Sequence, residues 1–222
     1  MNYQVLLTEL EENRDEKYRA FHSKLLKNDS INVIGVRVPA LRKTAKKFKG
    51  REEELLSFPD DYYEVTFIKL IAVSSLPYDM FVGYVEKCLS LINNWATCDC
   101  FKADCIGRHR DDFLPYIYKF LNEDKEFYQR YAVTTLLNFY VDKSYLNTVW
   151  NCVNQANTEY YYTHMSVAWL VAEVLCKYFD EGVEFLKANS LDIKTHNKAI
   201  LKARESFRIS PENKKFLLTL KR

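Results

Sequence analysis

The sequence predicts an all-α fold, a solenoid in which short helices pair and the pairs stack into an α–α superhelix. Three observations carry this. First, aromatic residues that open an apolar stretch return every 33 residues, at Tyr62 and Tyr63, Trp95, Tyr128 and Tyr161. Each interval has room for two short helices and their turns, and a period in the thirties with helical filling marks helix-pair repeats. Second, only 5 Gly and 5 Pro interrupt the 222 residues, with no Gly/Ser linker between them. Third, period-two alternation never lasts, so no strand is expected. The next step of the repeat falls on Lys194-Thr195-His196, where the aromatic is lost but a helical pattern restarts. We expect a single domain spanning residues 1–222.

The elements follow in order. Residues 3–12 and 15–27 predict a helix pair, with Leu6, Leu7 and Leu10 in one stripe and Tyr18, Phe21, Leu25 and Leu26 in the next. Asn28-Asp29-Ser30 is the stop. Pro39 disfavours helix at Val38 and suits the first turn of the following helix. That helix carries Leu41, Ala45 and Phe48 on one side and Arg42, Lys46 and Lys49 on another. Pairs are then expected at 61–76 and 79–93, broken at Leu76-Pro77, and at 95–105 and 110–121. Further pairs follow at 127–140 and 143–155, and at 159–178 and 181–188. Residues 195–207 and 211–221 close the stack, with Ser210 as N-cap and Pro211 at the first helical position.

The N-terminal stretch is charged throughout and does not read as a signal peptide. The longest near-apolar runs, such as Met165 to Leu175, are too short to span a bilayer. The expected protein is soluble and cytoplasmic, and its six Cys suit that compartment as free thiols. Cys98, Cys100 and Cys105 cluster with His109 nearby, but C-x-C-x4-C is not a standard zinc spacing, so no metal and no cofactor are expected.

Net charge is only +2, yet it is unevenly placed. Residues 37–51 hold seven Lys/Arg and no acid, and residues 194–222 hold nine against Glu205 and Glu212, so each segment is +7 and the remainder is −12. Two basic ends on an acidic solenoid fit an extended polyanion touching both. Solvated helix faces would give the same pattern.

Phosphate-binding loops, nucleophile elbows and H-E-x-x-H are absent, which removes most nucleotide-enzyme and hydrolase templates. What remains is Asn94-Trp95-Ala96-Thr97-Cys98-Asp99. Trp95 and Asp99 sit at i, i+4 on one helix face, and Trp169 falls at +8 in the repeat frame that puts Trp95 at 0 and Asp99 at +4. All three can therefore share a concave surface. The same residues also fit as core tryptophans and a capping aspartate.

Several ordered blocks resemble the AlkD-like DNA alkylation repair proteins, a bacterial group of HEAT-like solenoids. They are GVRVPALRKTAKKF (35–48), INNWATCDCF (92–101), FYQRYAVTTLLNFY (127–140), EYYYTHMSVAWLVAEVL (159–175) and THNKAILKARESFRIS (195–210). The wording NWATCD and THNKAI…ES is most similar to a shorter, divergent branch. The resemblance implies a HEAT-like fold and binding of double-stranded DNA that carries alkylated purines. It also implies a glycosylase that cleaves the N-glycosidic bond of cationic N3- or N7-alkylated bases. By the same resemblance the active-site aspartate falls on Asp99, the tryptophan before it on Trp95, a second tryptophan on Trp169 and a phosphate-contacting arginine on Arg130. An Arg-Glu pair of active members falls on Ala172 and Glu173.

The chemistry suits these residue types. A cationic purine leaves without a strong general acid, and the deoxyribose develops oxocarbenium character as the bond breaks. A carboxylate stabilises that charge and orients water. Indole faces hold a cation through contacts worth about 0.5–2 kcal/mol each. Unlike base-flipping enzymes, such a solenoid is implied to grip the backbone around the lesion. Arg130, Arg42, Lys43, Lys46, Lys194, Lys198 and Lys202 are the expected DNA contacts. The expected state is a monomer in the bacterial cytoplasm, at the nucleoid when DNA-bound. A non-catalytic DNA-binding solenoid and a protein–protein scaffold stay open as alternatives.

Overall fold

The computed structural model describes residues 2–26, 28 and 30–222. Met1 lies outside them, as do Lys27 at the end of the second expected helix and Asp29 in its stop. The described residues are helical and contain no strand; one isolated antiparallel bridge joins Arg14 and Val36. They form two compact units, Met1–Arg108 and His109–Arg222.

The first unit holds α1 (Tyr3–Glu12), α2 (Glu16–Leu26), α3 (Val38–Lys46), α4 (Glu52–Leu56), α5 (Tyr63–Ser74), α6 (Tyr78–Leu89), α7 (Trp95–Cys100) and a 3-10 turn at Asp104–Arg108. Its centre is α5, which packs on α3, α4, α6 and α7. Residues Tyr63 to Val73 of α5 are all buried, so even its two charged side chains must find partners inside. Glu64 accepts the backbone N–H groups of Ile34, Gly35 and Val36 at 3.0, 2.8 and 3.2 Å. Lys69 donates to the Phe58 carbonyl at 2.5 Å and to Asp60 at 2.8 Å. Both therefore fasten loops to the core helix. Gly35 has φ +101°, and a Cβ there would stand 2.5 Å from Arg19 Cβ, so the loop needs glycine at this position.

The second unit holds α8 (Arg110–Leu121), α9 (Glu126–Phe139), a 3-10 turn at Lys143–Tyr145, α10 (Leu146–Gln155), α11 (Tyr161–Lys177), α12 (Phe179–Ala188), α13 (Ile193–Glu205) and α14 (Pro211–Thr219). Here α11 packs between α9 and α13, while α8, α12 and α14 pack on α9, α11 and α13 in turn. This neighbour-on-neighbour order is that of a helix-pair solenoid. Glu126 links two rungs, its carboxylate accepting the Tyr162 N–H at 2.5 Å in the first turn of α11.

The 33-residue anchors are helix starts. Tyr63, Trp95 and Tyr161 are the first residues of α5, α7 and α11, and Tyr128 lies in the first turn of α9. The next step, Lys194, is the second residue of α13. Ser210 caps α14 as expected, accepting the Asn213 N–H at 3.2 Å. Three expectations are corrected. The helix at 95–105 ends at Cys100, because Phe101 turns out of helical geometry and buries its ring against Phe81 at 5.7 Å. The stripe on α2 is rotated: His22 and Leu26 are buried, while Phe21 and Leu25 face solvent. The short α4 falls in a stretch expected to have no helix.

Candidate functional site

Six residues make α7, too few for a helix to persist on its own propensity. Its cap and its burial hold it. Asn94 Oδ1 accepts the Thr97 N–H at 2.9 Å, and Thr97 and Cys98 are fully inside. Ala96 and Cys100 pack half-buried against the core. That orientation leaves Trp95 and Asp99, one turn apart, partly exposed on the remaining face. Asp99 is partly exposed, and the side chain that caps α7 is that of Asn94.

The Trp95 indole N–H donates to the Leu25 carbonyl at 3.4 Å, which sets the ring beside the last turn of α2. Exposed Phe21 and Leu25 lie on that helix one turn apart. Below them His22 stacks on Tyr18 at 5.4 Å and meets Tyr63 at 4.6 Å, with its Nε2 buried and unpartnered. Burial lowers the His22 pKa. Burial likewise pushes the Cys100 thiol up, with Arg42 opposing and Asp99 reinforcing the shift, so both charges act on the same buried sulfur. Cys100 Sγ donates to the Thr97 carbonyl at 3.1 Å. Burial also raises the Cys105 thiol. Among the described residues no three His, Cys, Asp or Glu side chains converge as metal ligands.

The basic helix α3 divides its cations. Arg42, Lys46 and Lys49 line one hollow with the C-terminal end of α5, whereas Lys43 and Lys47 line another with α1. Three cations of the segment are engaged: Arg37 with Asp15 at 2.8 Å, Lys47 with Glu9 at 2.8 Å and Arg51 with Glu54 at 2.6 Å. Arg42, Lys43, Lys46 and Lys49 are exposed and form no ion pair among the described residues.

In the second unit, Trp169 on α11 is 43% exposed, uncommon for a tryptophan. One turn further, Glu173 receives both guanidinium nitrogens of Arg208 at 2.7 and 2.5 Å. This fork holds the Arg208 pKa above its ordinary value. Arg130 is only 5% exposed and donates Nη1 to the Tyr162 carbonyl at 2.9 Å, with its guanidinium 5.8 Å from that ring. Trp150 stacks on Phe185 at 4.0 Å as part of the packing.

Along α13, Lys194, Lys198 and Lys202 follow at i, i+4, i+8, flanking the buried Thr195, Ala199 and Ala203, with Lys194 exposed and Lys198 and Lys202 partly so. Lys202 pairs with Glu205 at 3.0 Å. Arg204 and Arg222 spend themselves on backbone carbonyls of Lys214, Leu191 and Asn189. Lys194, Lys198, Lys214, Lys215 and Lys221 form no ion pair among the described residues. Sequence reasoning missed the Arg208–Glu173 fork, whose partners lie 35 residues apart, and an exposed Phe207 that composition would place in the core.

The first unit thus presents Trp95 and Asp99 partly exposed beside helices with unpaired cations, and the second unit presents an exposed Trp169, in a protein built of stacked helix pairs. The chain matches the family described as DNA alkylation repair enzyme over residues 6–208, and it belongs to that family. Its role is therefore DNA alkylation repair, with DNA as partner. No curated protein matches the chain. Among the described residues no helix is long and apolar enough to cross a membrane.

Proposed function

We propose that this protein is a DNA glycosylase that binds duplex DNA and hydrolyses the N-glycosidic bond of cationic N3- and N7-alkylated purines. The observation that carries the reading is α7, in a chain that belongs to the alkylation repair family. Its cap and buried residues leave Trp95 and Asp99 together on the open face. In this reading Asp99 stabilises the positive charge that grows on deoxyribose as the bond breaks, and it orients the attacking water. Trp95 offers an indole face to the cationic nucleotide, and Trp169 is a second exposed indole for the bound DNA.

Arg42, Lys43 and Lys46 on α3, and Lys194, Lys198 and Lys202 on α13, neutralise phosphates without reading sequence. Arg130 is largely buried and donates to the Tyr162 carbonyl, so in this reading the phosphate contacts rest on Arg42 and the lysines, and a contact by Arg130 would require its guanidinium to leave that packing. The protein acts as a monomer in the bacterial cytoplasm, at the nucleoid when bound. The test is incubation with a duplex containing N7-methylguanine: release of free methylated base is expected. Salt-sensitive binding without release contradicts the catalytic assignment.

One observation favours a rival. The family's Arg-Glu pair stands here as Ala172 and Glu173, and Glu173 is engaged by Arg208. A solenoid that binds DNA without excising a base would keep the cations and lose the release of methylated purine.

A further inference from the structure

The turn between α13 and α14 holds an aromatic ring out in water. Phe207 is fully exposed, yet the residues around it are anchored. The Ser206 N–H donates to the Ala203 carbonyl at 3.1 Å, and its Oγ accepts the Arg208 N–H at 3.2 Å. Arg208 grips Glu173 with both nitrogens, Ile209 is buried, and Ser210 caps α14. Arg204 Nε donates to the Lys214 carbonyl at 3.1 Å and closes the base of the turn. The phenyl ring therefore projects from a built turn and not from a loose one.

The position of that turn matters. Glu173 lies one helical turn beyond exposed Trp169 on the same side of α11, so the Arg208 fork ties the turn that carries Phe207 to that side of the helix. On α13 and α14 of the same unit, Lys194, Lys198, Lys214, Lys215 and Lys221 have no ion-pair partner among the described residues. An apolar protein partner would cover the ring and leave these cations unanswered. A nucleic acid answers both, with phosphates for the lysines and flat bases for the ring.

We propose that Phe207 is a stacking wedge that sets its ring against a base step of the bound DNA while the lysines of α13 and α14 hold the phosphates. Minor-groove binders and architectural proteins insert apolar side chains between base steps in this way and partly unstack them. The proposal rests on the DNA-binding reading above.

The experiment compares wild type, Phe207→Ala and Phe207→Trp on duplexes with 2-aminopurine at successive positions, at several salt concentrations. Because the ring packs on nothing, Phe207→Ala should keep the wild-type melting temperature. Its affinity should fall about tenfold, the scale of one stacked base. A 2-aminopurine fluorescence rise is expected with wild type and should vanish in Phe207→Ala, and Phe207→Trp should restore both. The salt slope should not change, since no charge is removed. Equal affinity and equal fluorescence in Phe207→Ala overturns the wedge and leaves the DNA-binding reading intact. Absence of salt-sensitive DNA binding by wild type overturns both. A wild-type dimer that Phe207→Ala turns into monomer assigns the ring to self-association and overturns the wedge.

Discussion

Trp95 donates its indole N–H to the carbonyl of Leu25, 70 residues earlier in the chain, at 3.4 Å. This bond ties α7 to the end of α2 and fixes the plane of a ring proposed to meet the damaged nucleotide. Trp95→Phe keeps a ring but loses the bond and the stronger π-face. Excision is expected to fall about two- to thirtyfold, the span of one cation–π contact. Thermal stability should fall by about 1 kcal/mol, one hydrogen bond. Single-turnover kinetics and a denaturant titration separate the two effects.

Glu64 and Gly35 hold the loop before α3. Glu64→Gln leaves three buried N–H groups facing a neutral amide that also carries donors of its own. The expected cost is about 3 kcal/mol, read as a lower urea midpoint at constant m-value. Gly35→Ala should cost about 1 kcal/mol or more, because φ +101° and the Arg19 Cβ both oppose a side chain.

Three histidines predict an acid limb. Burial lowers the pKa of His22, His164 and His196 below the ordinary 6.5; at His164 the Lys194 charge adds to this, and at His196 the Leu220 carbonyl opposes it. The unfolded chain thus binds these protons more readily than the folded one. Stability from this source is complete above about pH 6.5 and is lost as pH falls through that value toward the folded-state pKa values. Melting temperatures measured from pH 8 to pH 5 should show the decline. His22→Phe removes an unpartnered buried Nε2, so it should flatten the limb and raise stability at pH 7 by about 1 kcal/mol. An unchanged limb in His22→Phe, His164→Gln and His196→Gln alike would refute this account.

Neighbouring lysines at the end of α3 should behave differently. Lys46 has no ion-pair partner among the described residues, whereas Lys47 holds both oxygens of Glu9 at 2.8 Å. Lys46→Ala should weaken DNA binding and reduce the slope of log K against log salt by about 1, the mark of one lost phosphate contact. Lys47→Ala should leave the slope unchanged. Equal effects from both would remove the distinction between free and engaged cations.

What the sequence discloses depends on how local the cause is. The repeat is legible because α5, α7 and α11 begin at an aromatic and α9 carries one in its first turn, and α14 because Ser210 and Pro211 act within one turn. Trp95 and Asp99 were legible as a shared face because i, i+4 spacing is a local property of a helix. On α2 the expected Leu26 is buried, but Phe21 and Leu25 look like core only until tertiary packing selects His22 in their place. α4 was missed because five residues, three of them Glu, carry little apolar periodicity. The roles of Glu64 and Arg208 could not be read locally, since their partners lie about 30 and 35 residues away. Arg130 sat off the face shared by the other candidates, and in the structure its guanidinium is turned into the packing at Tyr162.

The most direct test of the central claim is the rate of N7-methylguanine release from a duplex by wild type and by Asp99→Asn under single-turnover conditions. Asparagine keeps the size of the side chain and removes its charge. If Asp99 stabilises an oxocarbenium-like state, the rate should fall by about one to three orders of magnitude. DNA affinity should stay level or rise slightly, because a negative charge leaves a surface proposed to face phosphates. Release by Asp99→Asn at the wild-type rate would contradict the role of Asp99, and a wild-type protein that binds the duplex but never frees the base would contradict the glycosylase itself.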